Sequence, residues 1–81
     1  MILNVMEMLT LSFKTSKEPS RVLTEAENFF RDRGLRVAEI GSCCMLLEGG
    51  GGYVRIDIHD NREREVILET REWESPVKEF V

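Results

Sequence analysis

Residues 53–71 read YVRIDIHDNREREVILETR, and the spacing of their apolar side chains decides the fold. Val54, Ile56 and Ile58 alternate with Tyr53, Arg55, Asp57 and His59. Further on, Val66, Leu68 and Thr70 alternate with Glu65, Ile67, Glu69 and Arg71. A period of two is the mark of a strand with one face buried and the other in solvent. Two such runs parted by Asn61-Arg62-Glu63 predict a β-hairpin. Setting Ile58 opposite Val66 also sets Ile56 opposite Leu68 and Val54 opposite Thr70, so a single register satisfies every inward position. A slip of one residue would turn the whole apolar set toward water. On the outer face the same register brings Arg55 to Glu69, His59 to Glu65 and Tyr53 to Arg71, each pair attractive across the strands.

Downstream, Ser75-Pro76 is a helix-start signal, with Ser75 as the cap and Pro76 at the first helical position. Val77, Phe80 and Val81 share one face of that short helix; either the natural chain continues past Val81 or the helix docks its tip on the core. Upstream, the four glycines 49 to 52 are expected to form a flexible connection into the hairpin, because glycine loses the most backbone entropy on ordering. The segment Arg36 to Glu48 is strand-forming but interrupted at Gly41-Ser42. It is either one strand bent by a bulge or two short strands, Val37 to Ile40 and Cys43 to Glu48.

Pro19 opens a helix expected over residues 19–33. Val22, Leu23, Ala26, Phe29 and Phe30 fall on one stripe suited to lying on a sheet. Gly34 is placed to take the left-handed conformation after the last turn, with Leu35 folding back as its apolar partner. Arg31, Arg33 and Arg36 gather where they complement the negative end of the helix dipole. Before the helix, Leu3, Val5, Leu9, Leu11 and Phe13 share a parity opposite Asn4, Thr10 and Ser12, which predicts a first strand. Glu7, Met6 and Met8 depart from that alternation.

A length of 81 residues supports one domain, spanning 1–81, and 42% apolar with 32% charged residues is the balance of a chain that folds. A domain this small has a thin stability margin, so a homodimer that hides further apolar area would help it. The net charge of −4 disfavours binding to nucleic acid or anionic lipid. No apolar run has the length of a membrane span, and the start of the chain lacks the pattern of a secretory signal, so a cytoplasmic location is expected. Cys43 and Cys44 are neighbours and point to opposite faces of a strand, which predicts two reduced thiols, at least one packed as a small hydrophobe. With His59 the sole histidine and no Cys-x-x-Cys spacing, no metal ligand set is recognisable. The glycine run leads into a strand and carries no lysine, so it is not a phosphate cradle, and no cofactor is indicated.

These elements make an α+β protein: a two-layer sandwich in the order β-α-β-β-β(-β)-α, with an antiparallel sheet and both helices on one face. If Gly41-Ser42 is a turn, the element order resembles that of one half-repeat of the TATA-binding protein fold. That resemblance is one of order alone and carries no function, since the acidic charge opposes DNA binding through the sheet.

The strongest candidate surface is the uncovered, polar side of the sheet, bearing Tyr53, Arg55, Asp57, His59, Glu65, Glu69, Arg71 and Trp73, together with Ile67 and with Met45 or Cys44. Tryptophan, tyrosine and arginine dominate interface energetics, so this face is expected to bind a protein partner or a second copy without catalysis. The alternative is a small-ligand site or weak enzyme around Asp57 and His59, where a carboxylate orients an imidazole from two residues away on the same strand.

Overall fold

The computed structural model describes residues 8–60 and 63–81. Strand β1 (Leu9–Thr15) is followed by helix α1 (Pro19–Arg31), strands β2 (Arg36–Ile40), β3 (Cys44–Gly49), β4 (Gly52–Asp60) and β5 (Arg64–Arg71), and helix α2 (Glu74–Phe80). The five strands form one antiparallel sheet in the order β1-β5-β4-β3-β2. The fold is therefore α+β in the expected order, with the segment between α1 and the glycines contributing two strands. Strands β2 to β5 meander, and β1 returns to pair with β5, which leaves β1 and β2 at opposite edges. Among the described residues no helix is long and apolar enough to cross a membrane.

The hairpin at the centre has the register that alternation demands. Ile58 faces Val66, Ile56 faces Leu68, Val54 faces Thr70, Arg55 faces Glu69, His59 faces Glu65 and Tyr53 faces Arg71. Of the connecting loop, Asn61 and Arg62 lie outside the described residues. Val54, Ile56, Val66 and Leu68 are fully buried and Ile58 nearly so.

Both helices pack on that one side. From α1, Val22, Leu23, Ala26 and Phe30 enter the core, joined by Leu35, Met45, Leu47 and, from α2, Val77. Each of the larger side chains contributes about 1.5–3 kcal/mol by leaving water. Phe29 is only half-buried. It lies over the margin of the core, in a T-shaped contact with Phe30 at 5.0 Å between centroids and a tilted one with Phe80 at 5.3 Å. The Arg33 guanidinium stacks on the Phe29 ring at 3.6 Å and donates to the Phe29 carbonyl, so one of the three clustered arginines does satisfy the helix end. The helix stops at Arg31 rather than residue 33, because Gly34 (φ 104°) and Leu35 donate to the carbonyls of Arg31 and Phe30 in a Schellman arrangement.

The open choice at Gly41-Ser42 is resolved, and three local expectations are revised. Gly41-Ser42 is a turn, closed by the Gly41 N–H on the Cys44 carbonyl at 2.8 Å, and the bulge lies instead between Val37 and Glu39. The glycines are not a loose connection. Gly49 and Gly52 pair as the last rungs of β3 and β4, and Gly50 (φ 56°) and Gly51 (φ 81°) make a two-residue turn of the kind that matches strand twist. A Cβ on Gly52 would meet the Arg71 carbonyl at 2.1 Å, so the run of glycine reflects close backbone approach as well as turn geometry. Helix α2 begins at Glu74, with Trp73 at its cap and no side-chain cap bond from Ser75; Pro76 still falls in the first turn, where its missing N–H costs nothing. Strand β1 runs on to Thr15, since Lys14 and Thr15 continue to pair with Glu65 and Arg64. The expected start of that strand, residues 3–7, lies outside the described residues.

Candidate functional site

The side of the sheet away from the helices is assembled from every second residue of five strands. Reading across the register, Thr10, Glu69, Arg55, Leu46 and Glu39 form one row. Ser12, Ile67, Asp57 and Cys44 form the next. Beside these lie Arg71, Tyr53, Glu48 and Arg36 on one side and Lys14, Glu65 and His59 on the other. No described element covers them. Acidic and basic residues are interleaved, so the face carries both signs without a single-sign field.

The face divides into a tied part and an open part. Tyr53 Oη donates to Glu69 Oε2 at 2.6 Å, a diagonal contact that takes the carboxylate Arg55 was expected to hold. The Glu69 carboxylate accepting that bond, helped by burial, raises the Tyr53 phenol above its ordinary pKa. Beyond it, Oη lies 3.3 Å from Met8 Sδ. At the other end Lys14 pairs with Glu63, a contact that raises the ammonium pKa and lowers that of the carboxylate. Between these, Arg55, Asp57 and His59 are in register with Glu69, Ile67 and Glu65, yet none of the three makes a side-chain hydrogen bond or ion pair among the described residues. Arg55 and His59 are exposed and Asp57 is half-buried.

Trp73 is not with them. Glu72 takes a left-handed backbone (φ 80°), which breaks the alternation of β5 one residue before the indole. Trp73 instead packs against the core cluster and donates from Nε1 to the Gly49 carbonyl at 2.8 Å, pinning the β3–β4 turn. Met45 also belongs to the core, and the outward residues of β3 are Cys44, Leu46 and Glu48. Leu46 is therefore a member of the face that sequence reasoning missed; the turn at Gly41-Ser42 sets the parity of β3, and only a committed turn would have revealed it. Arg64 was also missed. Its guanidinium bonds Asp60 Oδ1 at 2.8 Å and the carbonyls of Lys17 and Ser16 at 2.6 and 3.3 Å, tying the ends of β4 and β5 to the segment between β1 and α1. The signal was present, because Asp60 and Arg64 are the next facing pair in the same register.

Asp57 and His59 share the outer face but make no hydrogen bond to one another. Among the described residues no three His, Cys, Asp or Glu side chains gather as a metal-binding group. A shallow cleft of about 300 Å³ lies elsewhere, between α1 and the β2–β3 turn, lined by Leu23, Thr24, Glu27 and Ile40 among others. Cys43 and Cys44 are both free thiols, the first half-buried and the second exposed. The chain matches no known family model and no curated protein.

Proposed function

We propose that the protein is a non-enzymatic protein-interaction module whose uncovered sheet face receives a protein partner. The supporting observation is the open centre of that face. Arg55, Asp57 and His59 stand on β4 without side-chain partners among the described residues, between the half-buried apolar side chains of Leu46 and Ile67. Apolar anchors beside unspent charges of both signs suit a partner that sets a carboxylate against Arg55 and a cation against Asp57. Since the backbone under these residues is fixed by strands on both sides, the face is already shaped before binding, which lowers the ordering cost. The cytoplasm, where the adjacent thiols would stay reduced, fits this role.

A small-ligand site around Asp57 and His59 has less support, because His59 is exposed and the two side chains make no hydrogen bond to one another. The test uses a partner captured by the full chain and then purified. Arg55→Glu and Ile67→Asp should each weaken its binding at least tenfold, while Arg21→Glu on α1 leaves it unchanged and circular dichroism shows all three folded. Binding that ignores both face variants would refute the proposal.

A further inference from the structure

The two edges of the sheet differ. Strand β2 is five residues long, interrupted by the bulge between Val37 and Glu39, and carries Arg36 and Glu39, all features that blunt an edge against pairing. Strand β1 is seven residues long, pairs with β5 without a break at every position, and contains no glycine, no proline and one charge, Lys14. Among the described residues β5 is its sole strand neighbour, so the backbone groups on its far side are directed away from the sheet.

The core also runs out at this edge. On β5, Val66, Leu68 and Thr70 are fully buried, whereas one strand over, on the same side, Leu9, Leu11 and Phe13 are half-buried. The α2 residue above them, Phe80, packs its ring against Phe13 at 6.3 Å yet is itself half-buried, and Val81 is 45% exposed.

Strand β1 is complementary to itself. Antiparallel pairing of two copies about a two-fold axis at Ser12 sets Leu11 against the partner's Phe13 and Leu9 against the partner's Thr15, all on the helix side. Thr10 then meets the partner's Lys14 on the outer side, so no like charges oppose across the seam. Because facing residues in an antiparallel pair project to the same side, this register keeps the helices of both copies on one face and makes one continuous core.

We propose that two copies of the chain join through β1 in this register, merging two five-stranded sheets into one. Sedimentation of the full chain over a dilution series should show a species of twice 9.4 kDa that dissociates on dilution. Ser12 is exposed, so changing it spares the monomer fold. Ser12→Lys places two ammonium groups opposite one another and should raise the dimer dissociation constant by about 3- to 10-fold. Ser12→Cys, in a Cys43→Ser/Cys44→Ser background, should form an intermolecular disulfide under mild oxidation, since facing Cβ atoms lie within about 4.5–5.5 Å. A chain that is monomeric at every concentration overturns the proposal. So does a dimer that ignores Ser12→Lys and leaves Ser12→Cys unlinked; if Arg55→Glu dissolves that dimer, the contact belongs to the sheet face instead. Loss of partner binding in Arg55→Glu with the β1 dimer intact would leave both assignments standing.

Discussion

The two faces of the β4–β5 hairpin are built on one set of backbone hydrogen bonds and differ in what their side chains meet. On the helix side Val54, Ile56, Val66 and Leu68 are wholly enclosed, members of one core cluster with side chains from both helices. On the other side Tyr53 and Glu69 hold one another, while Arg55, Asp57 and His59 face outward with no side-chain partner among the described residues. The difference teaches where stability resides. A closed side chain gains from every surrounding atom, whereas an open one gains at most from a single partner and loses entropy in holding it. The inner face therefore specifies the fold, and the outer face adds little to it.

The largest effect that can test this contrast is a deletion of inner volume. Ile56→Ala removes a fully buried side chain from the middle of the sheet and should cost about 2–5 kcal/mol of unfolding free energy, measured by denaturant titration. A loss below ~1 kcal/mol would mean that the core can collapse around the gap and that the inner face is not close-packed.

Thr70 sharpens the comparison because it is polar and yet lies on the inner face, fully buried. Its hydroxyl donates to the Tyr53 carbonyl at 2.7 Å, so the group is satisfied within the hairpin. Thr70→Val keeps the shape and removes the bond, and should cost about 1–3 kcal/mol by leaving that carbonyl short of a donor. An unchanged midpoint in the same titration would show that water reaches the carbonyl from the strand end.

Tyr53 gives the next smaller effect and a pH signature. Tyr53→Phe deletes the bond to Glu69 from the outer face and should cost about 1 kcal/mol at neutral pH. The phenol titrates higher in the folded chain than in the unfolded one, chiefly because the Glu69 carboxylate accepts its proton in a hydrogen bond. Its contribution is thus fully present below about pH 10 and is lost as the pH rises through the folded-state value. Stability curves of the wild type and Tyr53→Phe should run parallel through neutral pH and converge in alkali. Curves that stay apart in alkali would assign the difference to packing of the ring and not to the phenol hydrogen bond.

Sidedness and register were legible from sequence because both follow from a period of two, and any slip would expose Val54, Ile56, Ile58, Val66 and Leu68 together. The stripe on α1 was legible for the same reason at a period of 3.6. The remainder depended on contacts between distant segments. The close approach at Gly52 comes from the Arg71 carbonyl, at Gly50 from the Trp73 ring and at Gly49 from the Gly34 carbonyl, and none of these neighbours is visible in a glycine run. The departure of Trp73 from the outer row depends on the left-handed Glu72, a conformation no local preference of glutamate announces. Because the parity of β3 hangs on how many residues the Gly41-Ser42 turn consumes, Leu46 was missed and Met45 stayed a candidate for the wrong face. Of the site residues, those inside the regular hairpin were therefore placed by alternation, and those beyond its ends were not.

The smallest effect is the most informative about the face itself. Arg55 is exposed, sits opposite Glu69 in register, and has lost that carboxylate to Tyr53, so it contributes no ion pair to the fold. Arg55→Ala should therefore change unfolding free energy by no more than about 0.5 kcal/mol, although its chain neighbour Ile56 is among the most costly positions to truncate. Two adjacent residues would then differ several-fold in what they add to stability, with the difference set by the side of the sheet on which each falls. If Arg55→Ala instead costs ~2 kcal/mol, the guanidinium is committed to a structural lattice with its acidic neighbours, and a partner could engage it only by breaking that lattice. A neutral result leaves the charge available, and the whole of any defect in partner binding by Arg55→Glu can then be read as recognition.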